Sequence, residues 1–259
     1  MTPTEQIVYL VVTGANRGIG FGLVTELAKD SSNLVFAGAR EPAKADALNA
    51  LATSVGNLKV VKVTSADEAD NKAAVEEIRR TAGRLDCVIA NAAIAKHFSP
   101  LIDFPLQKFR DHYEVNLIGV VALFQAVEPL LSKSPTGAGH FALISTGGSS
   151  MGRFFNTNAA AYASSKASAN FIIKTIHHEY EADGIIASAH HPAWVQTDMG
   201  NTGAVANGMQ EAPVKLEDSV KGILANIVGA TRERVGGKFM NAVKATGNPY
   251  DVETDEIPW

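Results

Sequence analysis

Residues 7–20 of the chain read IVYLVVTGANRGIG, an apolar run that leads directly into a turn with three glycines. The apolar run predicts a buried strand, and the residues after the turn predict a helix. Glycine allows a tight turn and a close approach of the backbone to a ligand. Free amides and the dipole at the start of a helix favour an anion there. The turn therefore predicts a dinucleotide-binding site that takes in Gly14, Asn16, Arg17, Gly18, Ile19 and Gly20.

Short apolar runs alternate with helical patterns along the chain, without a repeat or a linker. The runs do not alternate with polar residues, which is typical of strands covered on both faces. Predicted strands are Ile7–Thr13, Leu34–Ala39, Leu58–Val63, Cys87–Asn91, Phe141–Ser145 and Ile186–His190, with a seventh near Gly237–Ala242. Predicted helices are Ile19–Lys29, Ala43–Ser54, Asp67–Thr81, Leu106–Leu131, Ala159–Ala182 and Leu216–Gly229. We expect a single α/β domain, residues 1–259, with a doubly wound parallel sheet of about seven strands and helices on both faces.

Composition and charge argue against several kinds of protein. The 259 residues are 46% hydrophobic and carry a formal net charge of -4, which does not suit a broad nucleic-acid surface. Met1–Gln6 has no basic region, and Ile7–Val12 is too short for a membrane span or a signal peptide. The single cysteine, Cys87, reads as a small buried hydrophobe. We expect a soluble cytoplasmic protein with no nucleic-acid or membrane partner.

The end of the second predicted strand bears on the choice of cofactor. An Asp or Glu there usually accepts hydrogen bonds from the ribose hydroxyls of NAD(H). This chain has Ala39 and Arg40 at that point, and Arg17 adds a second guanidinium from the glycine turn. Two guanidinium groups suit the 2′-phosphate of NADP(H) through paired hydrogen bonds. The sequence predicts NADP(H) as the cofactor, with an ordinary surface role for Arg40 as the alternative.

Tyr162 and Lys166 stand one helical turn apart, so they share a helix face. A free tyrosine has a pKa of about 10. A neighbouring cation, such as Lys166 or an oxidised nicotinamide, stabilises the phenolate and lowers this pKa. A phenol tuned in this way can give a proton to a carbonyl oxygen as hydride adds to the carbon. The pair predicts an acid–base site for oxidation and reduction at a carbonyl carbon.

Together these segments resemble the short-chain dehydrogenase/reductase family over nearly the whole chain. Thr13–Gly20 matches the family's glycine turn, Asn91-Ala92-Ala93 its Asn-Ala-Gly stretch, and His191–Met199 its Pro-Gly segment. The resemblance implies a Rossmann-type fold and an NADPH-dependent carbonyl reductase or ketoreductase. It also implies that Lys166 binds the nicotinamide ribose and that Asn116 supports an active-site water. The cofactor contacts it adds are Asn91, Ala92, Tyr162, Lys166, Pro192, Val195 and Thr197.

The family's catalytic serine, at the end of the fifth strand, has three candidates in this chain. Matching the strand and the Met-Gly pair downstream puts Thr146 there, and a threonine hydroxyl can polarise a carbonyl as serine does. The family's commoner spacing back from Tyr162 gives Ser149 instead, and Ser145 is the third candidate. We favour Thr146, because the loop Arg153–Ala161 is long by family standards and absorbs the difference.

Other positions depart from the family pattern. Ala93 and Ala193 replace glycines beside the cofactor, which narrows the freedom of the backbone there. Thr64 or Ser65 stands where an Asp usually touches the adenine. Asp67 comes slightly later and is predicted to be the N-cap of the next helix.

The predicted partner is a small-molecule carbonyl substrate. Trp194 and the pair Phe154-Phe155 are candidates for an apolar wall, and residues 200–213, rich in Gly, Ala and Asn, are predicted to be a substrate-binding loop. No histidine pair has the spacing of a zinc site, so no metal is predicted. Apolar faces on the helices Leu106–Leu131 and Ala159–Ala182 make a homodimer or homotetramer plausible.

A second hypothesis comes from another class of protein. The chain would then bind the cofactor as a signalling or scaffold protein, without turnover. The intact Tyr162–Lys166 pair and Asn116 argue against it, because a pure binder has no need of a tuned phenol.

Overall fold

The computed structural model of the protein describes residues 7–11, 14–134, 137–244 and 253–259. The strands are β1 (Ile7–Val11), β2 (Asn33–Ala39), β3 (Leu58–Lys62), β4 (Cys87–Ala90), β5 (His140–Ile144), β6 (Ile186–His191) and β7 (Phe239–Asn241). They lie in one sheet in the order β3-β2-β1-β4-β5-β6-β7. Every neighbouring pair is parallel, as predicted for the doubly wound sheet. Residues 12 and 13 of the predicted first strand lie outside the described residues.

Helices connect the strands and flank the sheet. They are α1 (Gly18–Ala28), α2 (Asp46–Ser54), α3 (Glu68–Thr81), α4 (Leu106–Tyr113), α5 (Gly119–Leu131), α6 (Ala160–Glu179), α7 (Asp198–Ala206), α8 (Leu216–Ile227) and α9 (Arg232–Val235). The six predicted helices are confirmed, with ends that differ by a few residues. A π-helical turn, Glu114–Ile118, joins α4 to α5 within the predicted helix Leu106–Leu131. Asp67 caps α3 as predicted, since its carboxylate accepts from the Asp70 amide at 2.9 Å.

The strand order changes direction at β1, which has β2 on one side and β4 on the other. Val11 pairs with Ala37 of β2 and with Ile89 of β4, so the segments after these three strands emerge at the same edge. In a doubly wound sheet the crevice at this edge is where ligands bind. The topology therefore brings the glycine turn, Arg40 and Asn91 to one side of the molecule.

Each face of the sheet is covered by its own apolar layer. Phe36 and Phe141 point to the face that α3, α5 and α6 cover. Val35 and Ile89 point to the opposite face, which α1, α2 and α8 cover. Cys87 is buried in this second layer, as predicted, and burial raises the pKa of its thiol. Strands covered on both faces explain why their sequences are apolar without alternation.

Within the described residues, one helical span, Leu106–Leu131, is long and apolar enough by length and composition to cross a membrane. Half of its most apolar stretch is buried inside the protein. Leu123, Val127 and Leu130 lie in the layer that packs against the sheet. The core helix of a globular domain has this composition too, and the packing accounts for it here.

Residues 200–213 do not form a continuous loop, contrary to the prediction. Their first half belongs to α7, which begins after Thr197, whose hydroxyl accepts from the Gly200 amide at 3.1 Å. Glycines lower helix propensity, which is why this stretch resembles a loop in sequence. They also permit close packing, since a Cβ on Gly200 would lie 1.9 Å from the Val195 carbonyl oxygen. Capping and packing therefore override local propensity, and residues 207–213 alone are non-helical.

A buried polar chain links β5 and β6 on the α8 side of the sheet. Ser188 Oγ lies 2.7 Å from Nε2 of His140 and 2.8 Å from Nε2 of His190. Nδ1 of each ring has no hydrogen-bond partner within the described part of the chain. Burial lowers the pKa of His140 to about 3 and the pKa of His190 well below its ordinary value. Both imidazoles are therefore neutral in the folded protein near neutral pH.

The free energy of unfolding is expected to fall as the pH drops below about 6.5, the ordinary histidine pKa. Below it the unfolded chain protonates both imidazoles, whereas the folded chain keeps them neutral until a much lower pH, so acid favours unfolding. Each ring contributes a slope of up to about 1.4 kcal/mol per pH unit. Urea unfolding between about pH 8 and pH 5 measures this slope. His140→Gln should lower this slope by the share of one ring, because the unfolded chain then takes up about one proton fewer. A free energy of unfolding that is constant over this range would contradict the assignment.

Candidate active site

One cleft of three adjoining cavities runs along the carboxyl edge of the sheet. At its cationic end lie Arg17, Arg40 and Lys44. The glycine turn, Asn91 and Lys166 line the middle. Aromatic residues line the apolar end, and Tyr162 lies where the middle and the apolar end meet. The predicted cofactor contacts that line the cleft are Gly14, Asn16, Arg17, Gly18, Ile19, Gly20, Arg40, Asn91, Ala92, Tyr162, Lys166, Pro192, Val195 and Thr197.

The glycine turn has the geometry that requires glycine. Gly14 and Gly18 have φ values of 83° and 53°, which side chains other than glycine rarely adopt. A Cβ on Gly20 would lie 2.5 Å from the Gly14 carbonyl oxygen and 2.6 Å from Asn91 Nδ2. The glycine turn and the segment that carries Asn91 therefore pack too closely to accommodate a residue larger than glycine at position 20. The start of α1 faces the cleft, where its free amides can bind an anion. Thr13, the first residue of the predicted turn, lies outside the described residues.

The cationic end contains one residue that the sequence reasoning missed. Lys44 follows Arg40 by one turn and forms an ion pair with Glu41, which also lies 4.0 Å from Arg40 Nε. These cations hold the pKa of the Glu41 carboxyl below its usual value, with the Lys44 hydrogen bond as the largest cause. Arg17 lies 3.6 Å from Asp198 at the other side of the cleft. The signal in the sequence for this third cation was a further basic residue, Lys44, five residues after the end of β2.

The side chains of Tyr162 and Thr146 line the same end of the cleft, and the Thr146 hydroxyl is close enough to influence the pKa of the phenol. Burial raises the pKa of Tyr162 to about 12, and the Thr146 hydroxyl opposes this shift. The expected lowering of the pKa by Lys166 is not found in this structure. The reason is that burial dominates and that the Lys166 amine is directed elsewhere.

Lys166 is buried beneath Tyr162 on the same face of α6. Its Nζ donates to the Ile144 carbonyl oxygen at 2.7 Å, at the end of β5. Burial lowers the pKa of Lys166 to about 7. A group with this pKa can gain and lose a proton near neutral pH.

Hydrogen-bond directions separate the candidates for the serine position. Ser145 Oγ donates to Asn170 Oδ1 at 2.6 Å, and Ser149 Oγ donates to the Thr146 carbonyl oxygen at 2.6 Å. A hydroxyl has one proton, so both serines are committed to buried acceptors. Thr146 Oγ1 accepts from the Gly148 amide at 3.3 Å and meets Tyr162. Of these three hydroxyls, that of Thr146 is the one that influences the pKa of Tyr162.

Asn116 is fully buried in the π-helical turn and does not line the cleft. Its Oδ1 accepts from the Ile94 amide at 2.8 Å, and its Nδ2 donates to the Ile94 carbonyl oxygen at 2.9 Å. Nδ2 also lies 3.0 Å from Ser165 Oγ, on the helix that carries Tyr162. The structure does not bring this side chain to Lys166; it ties the segment after β4 to α6.

The apolar end is walled by Phe98, Phe155, Trp194 and Met199. Trp194 Nε1 donates to the Gly200 carbonyl oxygen at 2.9 Å, which fixes the ring on α7. Phe154, which the sequence placed with Phe155, is 76% exposed and points away.

Two positions at which the sequence departs from the family pattern lie at opposite ends of the cleft. Ala193, which replaces a glycine of the family pattern, has a φ of 67° and so lies in the left-handed region that favours glycine. Thr64 and Ser65 both lie at the cationic end, so both remain candidates for the adenine contact.

Comparisons with known proteins agree with this geometry. Residues 9–206 match the family model for short chain dehydrogenase. The norsolorinic acid ketoreductase of Aspergillus parasiticus is 37% identical over 99% of this chain and 93% of that protein. The enzyme of the same name from Dothistroma septosporum is 36% identical over 92% of this chain and 90% of its own length.

Solved structures show the same fold. The NADPH-bound carbonyl reductase from chicken fatty liver superimposes with a TM-score of 0.82 at 31% identity, over 92% of this chain and 97% of that one. Carbonyl reductase Sniffer of Drosophila melanogaster gives a TM-score of 0.85 at 22% identity, over 98% and 100% of the two chains, and supports the fold alone. This chain belongs to the short-chain dehydrogenase family of oxidoreductases.

Proposed function

We propose that the protein reduces a ketone or an aldehyde with NADPH and that Tyr162 donates the proton. One observation carries the proposal. The Tyr162 hydroxyl lies beside the Thr146 side chain where the dinucleotide part of the cleft meets its apolar end. Relatives named as ketoreductases and a carbonyl reductase solved with NADPH support this reaction class.

The side chains act on the carbonyl oxygen. Bound NADPH would supply the hydride to the carbonyl carbon, from the middle of the cleft. The hydroxyls of Thr146 and Tyr162 orient and polarise the oxygen. With its pKa raised to about 12, the phenol is protonated at neutral pH and ready to donate. The alkoxide formed by hydride addition is a stronger base than a phenolate, so it takes the proton readily.

Lys166 and Asn116 support the phenol in different ways. Lys166 has a pKa of about 7 and lies one helical turn away, which suits it to return a proton to Tyr162 after each cycle. Its bond to Ile144 keeps the amine at the floor of the cleft. Asn116 holds α6 in place through Ser165 and Ile94.

The choice of NADPH over NADH rests on the charges at the cationic end. Arg17, Arg40 and Lys44 converge there, and Lys44 and Arg40 flank the Glu41 carboxylate. Three cations face the two carboxylates of Glu41 and Asp198, which leaves net positive charge for a 2′-phosphate that the guanidinium groups bind through paired hydrogen bonds.

The substrate class follows from the apolar end. Its walls are mostly aromatic and aliphatic, and among its described lining residues no Asp, Glu, Lys or Arg is present. A carboxylate or phosphate on the substrate would lose its hydration there without gaining a Lys or Arg partner. We propose an uncharged, largely apolar ketone or aldehyde, with an aromatic ring favoured by Phe98, Phe155 and Trp194.

A panel of carbonyl compounds tests the proposal. The purified protein is incubated with NADPH or NADH and with apolar aromatic ketones, aliphatic aldehydes or keto acids, and loss of the reduced nicotinamide absorbance is followed. NADPH-dependent turnover of the uncharged ketones is expected. Tight NADPH binding with no turnover of any carbonyl would favour the non-catalytic binder instead.

We also propose that the protein self-associates through α4, the π turn and α6. Exposed apolar side chains on and beside this surface include Leu101, Ile102, Leu106, Ile118 and Phe171. Contiguous exposed apolar patches mark interaction surfaces, and α4 and α6, which carry part of this set, pack side by side. Sedimentation equilibrium should give a dimer or a tetramer for the native chain and a smaller species for Phe171→Glu. A native chain that sediments as a monomer would contradict this.

A further inference from the structure

Asn170 lies on the same face of α6 as Tyr162 and Lys166, one further helical turn along. It is 3% exposed and faces the end of β5 and the short turn Gly147–Ser149 that follows Thr146. It does not line the cleft, and its side chain is directed at the segment that carries the catalytic hydroxyl. No step of the reaction described above uses it.

The hydrogen bonds of Asn170 have directions that the network determines. Ser149 Oγ gives its only proton to the Thr146 carbonyl oxygen at 2.6 Å, so towards Asn170 it can only accept. Asn170 Nδ2 therefore donates to Ser149 Oγ at 2.9 Å, which leaves Oδ1 to accept from Ser145 Oγ at 2.6 Å. In this orientation the amide nitrogen faces an acceptor and the amide oxygen faces a donor, which assigns the two ends of the Asn170 side chain.

This network holds the backbone on both sides of the Thr146 side chain. Asn170 accepts from Ser145, directly before Thr146, and donates to Ser149, three residues after it. Ser149 in turn donates to the Thr146 carbonyl oxygen. The two serines are at most 3% exposed. Without Asn170, Ser145 Oγ would lose its acceptor at 2.6 Å and keep only the longer contact with Ser149 Oγ at 3.2 Å. The loss of this bond would favour a rearrangement of the turn. The Ser145 hydroxyl, which also lines the cleft, would then compete with the Thr146 hydroxyl for the substrate oxygen.

We propose that Asn170 is a positioning residue that sets the turn after β5, so that Thr146, and neither Ser145 nor Ser149, presents its hydroxyl to Tyr162. The inference rests on the proposed function for its catalytic consequence. The ordering of the turn by Asn170 is a property of the protein alone.

The first test needs no substrate. In Asn170→Leu, which has a similar volume and no polar atom, amide hydrogen exchange of a peptide spanning residues 145–152 should become at least about tenfold faster. Ser188→Ala is the matched control, since it removes a buried hydroxyl from the His140–His190 chain, away from the cleft. It should leave exchange of that peptide unchanged. Equal protection of the turn in Asn170→Leu and in the native chain would overturn the proposal.

The second test is a double-mutant cycle on turnover of a ketone found with the panel. Thr146→Ala and Asn170→Leu should each lower kcat by about tenfold or more, with little change in the NADPH dissociation constant. Because Asn170 acts through Thr146, the double variant should be no slower than Thr146→Ala alone. Losses that multiply would show that Asn170 supports the fold in general and would overturn the proposal.

The two tests separate the two claims. If the native chain turns over no carbonyl, the proposed function fails, and the exchange measurement still decides whether Asn170 orders the turn. If the native chain is active and Asn170→Leu matches it in exchange and in kcat, the inference fails and the proposed function stands.

Discussion

Replacing Tyr162 with Phe is expected to lower kcat by about three orders of magnitude, because positioned acid–base groups contribute about 10²–10⁴-fold. The variant keeps the ring and removes the proton donor. Thr146 can still polarise the carbonyl oxygen, but nothing delivers a proton to the alkoxide. The Tyr162 ring lines the cleft without closing it, so the NADPH dissociation constant should change little.

Single-turnover kinetics and fluorescence titration with NADPH measure the two quantities separately. Tyr180→Phe is the matched control, since that ring packs against Phe124 in the core, with centroids 4.9 Å apart. It should leave kcat unchanged. A Tyr162→Phe protein that turns over at the native rate would remove this residue from the mechanism, and one that no longer binds NADPH would place it in cofactor binding instead.

Replacing Arg40 with Asp is expected to shift the ratio of kcat/KM for NADPH over NADH by about two orders of magnitude towards NADH. A hydrogen bond to a charged group contributes about 1.5–3 kcal/mol, and each 1.4 kcal/mol is a factor of ten. The carboxylate would repel the 2′-phosphate and could accept from the ribose hydroxyls of NADH. Because Arg17 and Lys44 remain, NADPH binding should weaken without being abolished.

Steady-state kinetics with both cofactors at several salt concentrations checks this shift. Lys221→Asp on α8 makes the same change in net charge away from the cationic end and should leave the ratio unchanged. Lys44→Ala should weaken NADPH binding in the same direction as Arg40→Asp, but less, because Lys binds a phosphate without the paired geometry of Arg. An unchanged ratio in Arg40→Asp would show that Arg40 is an ordinary surface residue.

Local patterns predicted the fold well, because its elements are set by near neighbours in sequence. Non-alternating apolar runs indicated strands covered on both faces, and all seven strands lie in one parallel sheet. The stretch 200–206 failed this reasoning. Its glycines disfavour a helix locally, but the Thr197 cap and the close approach of Gly200 to Val195 stabilise one.

The site was predictable in part for the same reason. Gly14 to Gly20 and the pair Tyr162 and Lys166 are short-range patterns, and the structure brings them to one cleft. Lys44 was missed because its role depends on which way the chain turns after β2. The pKa of Tyr162 was misjudged because burial, which spacing along a helix does not reveal, outweighs a neighbouring cation.

The sequence by itself determined the seven strands, the six helices that it predicted, the glycine turn and the face shared by the phenol and the amine. These depend on backbone conformation and on helical spacing, which residues a few positions apart decide. Only the tertiary structure decided which hydroxyl meets Tyr162 and what Asn116 and Asn170 hold. Those contacts join residues 16 to 49 positions apart, and a hydroxyl proton goes to whichever buried acceptor the packed chain places beside it.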